Sequence, residues 1–400
     1  MKQNEQPING FKFSAVAAGI KQAGTTRLDL GLIMSEGPAT IAGITTTNLV
    51  FAAPVAVTRE RLAKGISRGI LVNSGNANAY TGEKGIKDTL DLTREVADAI
   101  GMDSDLIIPM STGVIGNPLP VDRMRAAIPA LVRGLDSKCY MDVAHAMMTT
   151  DTRPKTVSLD ALAPTGPFRM LGMCKGSGMI APNMATMLAI VLTDIKVEPA
   201  FLKECLLEAN ERSFNSITVD GDTSTNDTVV ILAGGSADAV ELGAGRSDRE
   251  AFRALLNQAC SDLARQIVQD GEGATKVVEV CVTGAPDHNA AVRAARTIAE
   301  SPLVKTAFHG EDPNWGRIIC AAGRSGVSFD PDRIDLYIGD VPIVKEGLIV
   351  AGDWESAAHK VMSAKEFTVL LDLKSGASEA RILTTDLSEE YVTINADYRS

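Results

Sequence analysis

Lys175-Gly176-Ser177-Gly178-Met179-Ile180-Ala181-Pro182-Asn183-Met184-Ala185-Thr186 runs without a break into Met187-Leu188-Ala189-Ile190-Val191-Leu192-Thr193-Asp194. The second part is an apolar run stopped by Asp194, long enough for a buried strand and too short to cross a membrane. The first part is loop chemistry, two glycines around a serine and then Pro182-Asn183 as a turn signal. A polar loop therefore delivers a threonine to the start of a buried strand. Ala185, just before it, has no bulk to hinder attack on its own carbonyl. A hydroxyl that attacks the carbonyl of the preceding residue forms an ester, and hydrolysis of that ester leaves a new N-terminal threonine. Such a residue carries nucleophile and base together, because a free α-amine titrates near about 7.7–8.0 and takes the hydroxyl proton. The same letters also describe a β-branched residue opening a strand. By itself the stretch leaves both readings open.

The rest of the chain sets the bounds. Four hundred residues, 45% hydrophobic and 22% charged, suit a soluble globular protein of one large or two to three ordinary domains. Aromatics make up only 4%, so the core rests on Ala, Val, Leu, Ile and Met. A net charge of −11 argues against a nucleic-acid binder with a broad basic face. The N-terminal residues have no apolar stretch that reads as a signal peptide, and no run approaches a membrane helix. The six cysteines are scattered without a CxxC, and the four histidines are equally dispersed. Free thiols in a reducing cytoplasm are expected, and no metal site.

In chain order, Leu28–Ile33 and Gly69–Asn73 read as strands, with Thr45-Thr46-Thr47-Asn48 as a polar break. Asn73-Ser74-Gly75-Asn76-Ala77-Asn78-Ala79 suits a tight turn or a polar pocket wall. Residues 83–100 have helical spacing and stop at Gly101. Ile107 to Gly116 is a strand end followed by a Thr-Gly turn, of the kind that aims an N–H and a hydroxyl into a cleft. Residues 121–134 and the segment ending at Met148 read as helices, and Thr149-Thr150-Asp151-Thr152 as a capping turn. Helices follow at Pro199–Asn210 and Ser247–Val268. Between them, 214–228 is a polar loop near the cleft that lacks the spacing of a calcium loop. Asp270-Gly271-Glu272-Gly273 is a turn, Thr275–Val282 a strand, 290–299 a helix and 309–317 an unusual loop. A hairpin at 334–344, a helix at 354–362 capped by Asp353 and a strand at 367–373 complete the chain. Alternating strands and helices indicate an α/β or α+β layered protein.

Taken together, these motifs resemble one family. The stretch 175–188 resembles the signature of the ornithine acetyltransferases, also called glutamate N-acetyltransferases, of arginine biosynthesis. The resemblance extends through 72–78, 111–116, 149–152, 215–222, 270–276, 309–317 and 395–399, and so covers essentially the whole chain in order. It implies a self-cleaving protein with an α segment, 1–185, and a β segment, 186–400, that stay associated as an α2β2 heterotetramer in the cytoplasm. It also implies an αββα-type sandwich, similar in layout to N-terminal nucleophile hydrolases but of distinct topology. The implied reaction moves an acetyl group from N2-acetylornithine to glutamate and requires no cofactor, acetyl-CoA serving as an alternative donor in some members.

Residue by residue, the resemblance assigns cleavage to Ala185 and Thr186, with Thr186 as nucleophile and its α-amine as base. Thr112 and Gly113 match the oxyanion hole, and Thr149, Lys175, Glu272, Asn395 and Ser400 the substrate contacts. Lys175 would meet a substrate carboxylate and Glu272 an ammonium. Two residues depart from the family pattern. Ser400 stands where a terminal Thr is usual, keeping the hydroxyl and losing a methyl. Cys174 replaces a commoner Ala and reads as a small buried residue rather than a second nucleophile. The rival readings are a self-cleaving amidohydrolase or aminopeptidase that gives the acyl group to water, and a non-catalytic amino-acid-binding protein. No nucleic acid or membrane partner is expected.

Overall fold

A computed structural model describes residues 7–181 and 187–397. The chain divides into two compact units, one of Met1–Asn215 and Asp222–Ile267, the other of Ser216–Gly221 and Val268–Arg399. Both segments expected from cleavage at 185/186 contribute to the first unit.

The first unit is built on an eight-stranded sheet. Its strands are β1 (Phe11–Val16), β2 (Leu30–Thr45), β3 (Ile66–Asn73), β4 (Ile107–Ser111), β5 (Lys155–Ala163), β6 (Gly166–Lys175), β7 (Leu188–Thr193) and β8 (Thr228–Ala233). The order is β4-β3-β2-β8-β7-β6-β5, with β1 paired to β2. The β3/β4 and β7/β8 pairs are parallel and the others antiparallel. The helices are α1 (Ala53–Leu62), α2 (Gly82–Ile100), α3 (Val121–Arg133), α4 (Tyr140–Met147), α5 (Pro199–Arg212) and α6 (Arg246–Gln269).

The run that reads as a buried strand is β7. All its residues are buried, because both faces of the sheet are covered there. Leu188, Ile190 and Leu192 join Phe13, Val143 and Met147 in one core. On β6, a Cβ at Gly172 would lie 2.8 Å from Leu263 of α6, so that helix packs directly on the sheet. A separate core joins Leu32 and Leu71 to Leu92 and Val96 of α2 and to Met124 and Ile128 of α3.

The second unit has a six-stranded sheet of β9 (Val277–Ala285), β10 (Asp335–Ile338), β11 (Val341–Lys345), β12 (Leu348–Ile349), β13 (Glu366–Asp372) and β14 (Ser378–Thr385). Its helices are α7 (His288–Ala299), α8 (Pro302–His309), α9 (Trp315–Gly323), α10 (Trp354–Met362) and α11 (Glu389–Asp397). Ala291, Ala294 and Ala295 of α7 are fully buried, small enough to seat that helix closely in the core shared with Val280 and Leu371.

The layered class expected from the sequence is what each unit shows. The structure corrects 309–317, of which only residues 310–314 are loop, since His309 closes α8 and Trp315 opens α9. Helix α1, the β5–β6 hairpin and α11 have no clear sequence signal. Among the described residues, no helix is long and apolar enough to cross a membrane.

Candidate active site

Strands β3 and β4 end side by side, with Asn73 opposite Ser111. The chain beyond each strand is tied down by buried asparagines. Ser111 Oγ donates to Asn73 Oδ1 at 2.7 Å, and Asn73 Nδ2 to the Asn76 carbonyl at 2.9 Å. Asn76 Nδ2 reaches the carbonyls of Asn117 and Pro118, and Asn78 Nδ2 the Gly85 carbonyl and the Thr89 hydroxyl. The asparagine cluster is thus internal scaffolding rather than a pocket wall. It holds the Thr112-Gly113 turn, whose Thr112 N–H donates to the Asn73 carbonyl at 3.0 Å. Gly113 has φ +130°, and a Cβ there would sit 2.4 Å from the Gly75 carbonyl carbon. No side chain fits at that position. Among the described residues, neither the Gly113 N–H nor the Thr112 hydroxyl has a hydrogen-bond partner. Two donors on a rigid turn are what a developing oxyanion needs.

Lys175 closes β6 and is buried. It shares a buried charge cluster with Asp151 and Lys155, in which Lys155 Nζ donates to Asp151 Oδ1 at 2.6 Å. Asp151 also accepts from the backbone N–H groups of Gly176 (2.7 Å) and Thr149 (2.9 Å). Burial alone would push this carboxyl up. The Lys175 and Lys155 ammoniums overcome that and hold it at about 2. The turn 149–152 caps no helix, contrary to the sequence expectation, because α4 has ended at Met147 and Asp151 faces inward to the lysines. Thr149 is half-buried beside this cluster, its carbonyl accepting from Arg27. Cys174 is buried with Sγ 3.8 Å from the Leu263 carbonyl, and burial pushes its thiol far up, which leaves it inert.

The loop before β8 joins these parts. Asn226 Nδ2 donates to the carbonyls of Ala77 (2.7 Å) and Ser111 (2.8 Å), fixing the peptide that leads into Thr112. The next residue, Asp227, accepts from the Met187 N–H at 2.7 Å. Thr228 N–H donates to the Met187 carbonyl at 3.0 Å. One short loop therefore positions both the candidate oxyanion turn and the residue that follows Thr186. Lys155 is not singled out by the sequence, and Asp151 enters it only as part of a capping turn. Asn226 and Asp227 have one signal, the acid-rich composition of 214–228.

In the second unit, Asn395 Nδ2 donates to Glu272 Oε2 at 2.8 Å, so two of the expected substrate contacts adjoin. Ser388 Oγ binds the Gly273 carbonyl at 2.6 Å and seats the turn against α11. Of the remaining expected residues, Ala185, Thr186 and Ser400 lie outside the described residues. In the first unit Thr112 and Gly113 belong to the asparagine network and Thr149 and Lys175 to the Asp151 cluster, and in the second Glu272 and Asn395 adjoin. A cleft of about 470 Å³ in the first unit lies by Asp194 and Ile195, at the other end of β7, and none of the expected residues lines it. Among the described residues no acidic, histidine or cysteine cluster is arranged to hold a metal.

Comparison with known proteins identifies the family. A family model described as the ArgJ family matches residues 12–400. The arginine biosynthesis bifunctional protein ArgJ of Geobacter sulfurreducens is 50% identical over 393 residues, covering 98% of this chain and all of that protein. Its counterpart from Syntrophotalea carbinolica is 49% identical over 393 residues, covering 98% and 99%. A crystal structure of the argJ protein of Bacillus halodurans aligns with a TM-score of 0.50 at 42% identity. That match covers 53% of this chain and all of the solved one.

Proposed function

The chain belongs to the ArgJ family and is an acyltransferase of arginine biosynthesis, and on that premise we propose that it moves an acetyl group from N2-acetylornithine to glutamate through an acetyl-Thr186 intermediate. The observation that carries the reading is the turn at Thr112-Gly113, rigidly held, with two hydrogen-bond donors left over among the described residues and tied through Asn226-Asp227 to Met187. Thr186 first attacks the Ala185 carbonyl, the ester is hydrolysed, and the freed α-amine then serves the hydroxyl as base. Acetylornithine loses its acetyl group to Thr186 Oγ while Thr112 and Gly113 hold the oxyanion. Ornithine leaves, and the glutamate amine takes the acetyl group. Lys175, Thr149, Glu272, Asn395 and Ser400 hold the substrates. No cofactor is needed, and acetyl-CoA is an alternative donor. The assembly is an α2β2 heterotetramer in the cytoplasm.

The sheet supports this account of cleavage. Strands β7 and β8 belong to the 186–400 segment, yet they are paired between β2 and β6 of the 1–185 segment. Cutting at 185/186 leaves those ladders intact, so the two products stay together. The solved relative's whole chain matches only 53% of this one, the size of a single product rather than of the uncut chain.

A covalent intermediate requires the first product to leave before the acceptor reacts, so double-reciprocal plots at several glutamate concentrations are expected to be parallel. Acetylornithine alone should add one acetyl mass to the peptide beginning at Thr186, and glutamate should remove it. Intersecting lines with no acetylated peptide would retire Thr186 as a covalent catalyst. Acetyl-CoA with glutamate, assayed separately, decides the alternative donor.

Thr112→Ala is expected to lower kcat about 10²–10³-fold with a smaller change in KM, since its hydroxyl meets charge that develops only in the transition state. An unchanged kcat would return Thr112 to being an ordinary turn residue.

A further inference from the structure

The stretch 309–317 takes no part in the chemistry above, yet in the second unit it reaches the turn that carries Glu272. The link is Asp386, buried just beyond β14. Its Oδ1 accepts from the backbone N–H groups of Thr275 (2.8 Å) and Lys276 (2.9 Å), and its Oδ2 from the Thr275 hydroxyl (2.6 Å). His309 Nδ1 lies 2.7 Å from Oδ2. Burial alone would raise this carboxyl. The Thr275 hydroxyl, His309 and the two N–H groups outweigh that and hold it below its usual range. An ionised carboxylate only accepts, so Nδ1 donates, while Nε2 faces Glu389 at 3.4 Å. Two residues further on, Glu311 has φ +55°, which residues other than glycine seldom adopt. Its Oε1 accepts from Lys276 Nζ at 2.6 Å, and the same ammonium donates to the Met362 and Ala364 carbonyls. The exit of the turn is thus fastened at Thr275 through Asp386 and at Lys276 through Asp386 and Glu311. On its other side Ser388 holds the Gly273 carbonyl, and Gly273 leaves no room for a Cβ against the Tyr391 nitrogen of α11.

We propose that His309 and Asp386 are positioning residues for Glu272, the imidazole aiming the Asp386 carboxylate and the carboxylate fixing the turn that presents Glu272 to the acetyl donor. Glu272 stands between Gly271 and Gly273, and glycine restricts its neighbours little. Its direction therefore has to come from outside the turn, and a hydrogen bond to a charged group depends on direction. The effect falls on one substrate. N2-acetylornithine has an acylated α-nitrogen and a side-chain ammonium, which is the group a carboxylate can hold. Glutamate has no side-chain ammonium, and its amine must be uncharged to attack. His309 and Asp386 thus bear on the donor half of the reaction. Both act through Glu272, and the proposal rests on Glu272 being a substrate contact.

The test measures kcat/KM for acetylornithine and for glutamate separately, on His309→Ala, His309→Asn and His309→Gln in the full chain. An Asn amide nitrogen falls close to the position of Nδ1 and still donates to Asp386, whereas a Gln amide falls at Nε2, toward Glu389. Ala and Gln should lower kcat/KM for acetylornithine about tenfold, the size of one charge-assisted hydrogen bond, with much smaller changes in kcat and in kcat/KM for glutamate. Asn should recover most of that loss. Glu272→Ala should show the same fall, and adding His309→Ala to it should lower the value no further, because the imidazole acts only through Glu272. A parental kcat/KM for acetylornithine in His309→Ala, beside a lowered one in Glu272→Ala, overturns the proposal. Equal losses for both substrates, or additive losses in the double variant, do so as well. Should Ala fail to fold, equal values for Asn and Gln overturn it. A parental Glu272→Ala protein removes the premise itself, and the proposal with it.

Discussion

Thr186→Ala is expected to leave a single 400-residue polypeptide on a denaturing gel, where the parent shows pieces 1–185 and 186–400. Acetyl transfer should fall by about 10⁴-fold or more, because the substitution removes the group that accepts the acetyl and also blocks the cut that frees its base. Thr186→Ser keeps a hydroxyl and should still cut, more slowly, since it lacks the methyl that limits rotation about χ1. The parent's two pieces should co-migrate under native conditions and separate only in denaturant. The β2–β8 ladder from Thr40/Ala233 to Thr45/Thr228, and the β6–β7 ladder from Met170/Thr193 to Lys175/Leu188, join one segment to the other. Complete cleavage of the Thr186→Ala chain at 185/186 would end the self-cleavage account.

Elements whose signal is local can be read from the amino-acid sequence. β7 is a continuous apolar run because both its faces are covered. α2 has amphipathic spacing and stops at Gly101, in the left-handed conformation that glycine favours. α5, expected at Pro199–Asn210, buries Phe201, Leu202, Cys205, Leu206 and Ala209, the apolar residues at helical spacing in that stretch. α8 and α9 escape such a reading because each has only eight or nine residues and Gly310, Pro313 and Gly316 punctuate the join. Lys155 opens β5 and Lys175 closes β6. A lysine reads as solvated until its counter-ion is known, and Asp151 is found only through the tertiary fold.

The site divides along the same line. Thr112-Gly113 carries a turn signal that the resemblance converts into a role, and the structure supplies the reason Gly is required. Glu272 and Asn395 are 123 residues apart and nothing local pairs them. Asn226 and Asp227 are hidden inside a polar loop whose composition suggests solvent. Both side chains are buried, and each reaches backbone of a different motif. Partner identity is tertiary information, so composition can place that loop near the cleft without saying what it holds.

Asp151→Asn is expected to be the most damaging substitution for stability. The parent carboxylate is fully buried with Lys155, and Lys175 adds a second ammonium acting on it. Neutralising Asp151 removes the carboxylate that pairs with the Lys155 ammonium, and breaking a buried pair in this way costs about 3–5 kcal/mol. The melting transition of the first unit should fall by roughly 6–20 °C. The pH dependence should change as well, with a definite sign. A carboxyl held at about 2 when folded, against about 3.9 unfolded, stabilises the fold above the unfolded value and loses that contribution as pH falls toward 2. The parent should therefore weaken between about pH 4 and pH 2, and Asp151→Asn should lose that part of the slope. Adding Lys155→Met to Asp151→Asn should recover part of the lost stability, since the ammonium that has lost its Asp151 partner leaves the interior and its volume is kept. If the single variant melts with the parent and keeps its acid slope, charge pairing is not what fastens the 149–152 turn to Gly176. The loop leading to the scissile bond would then be held by the backbone hydrogen bonds alone.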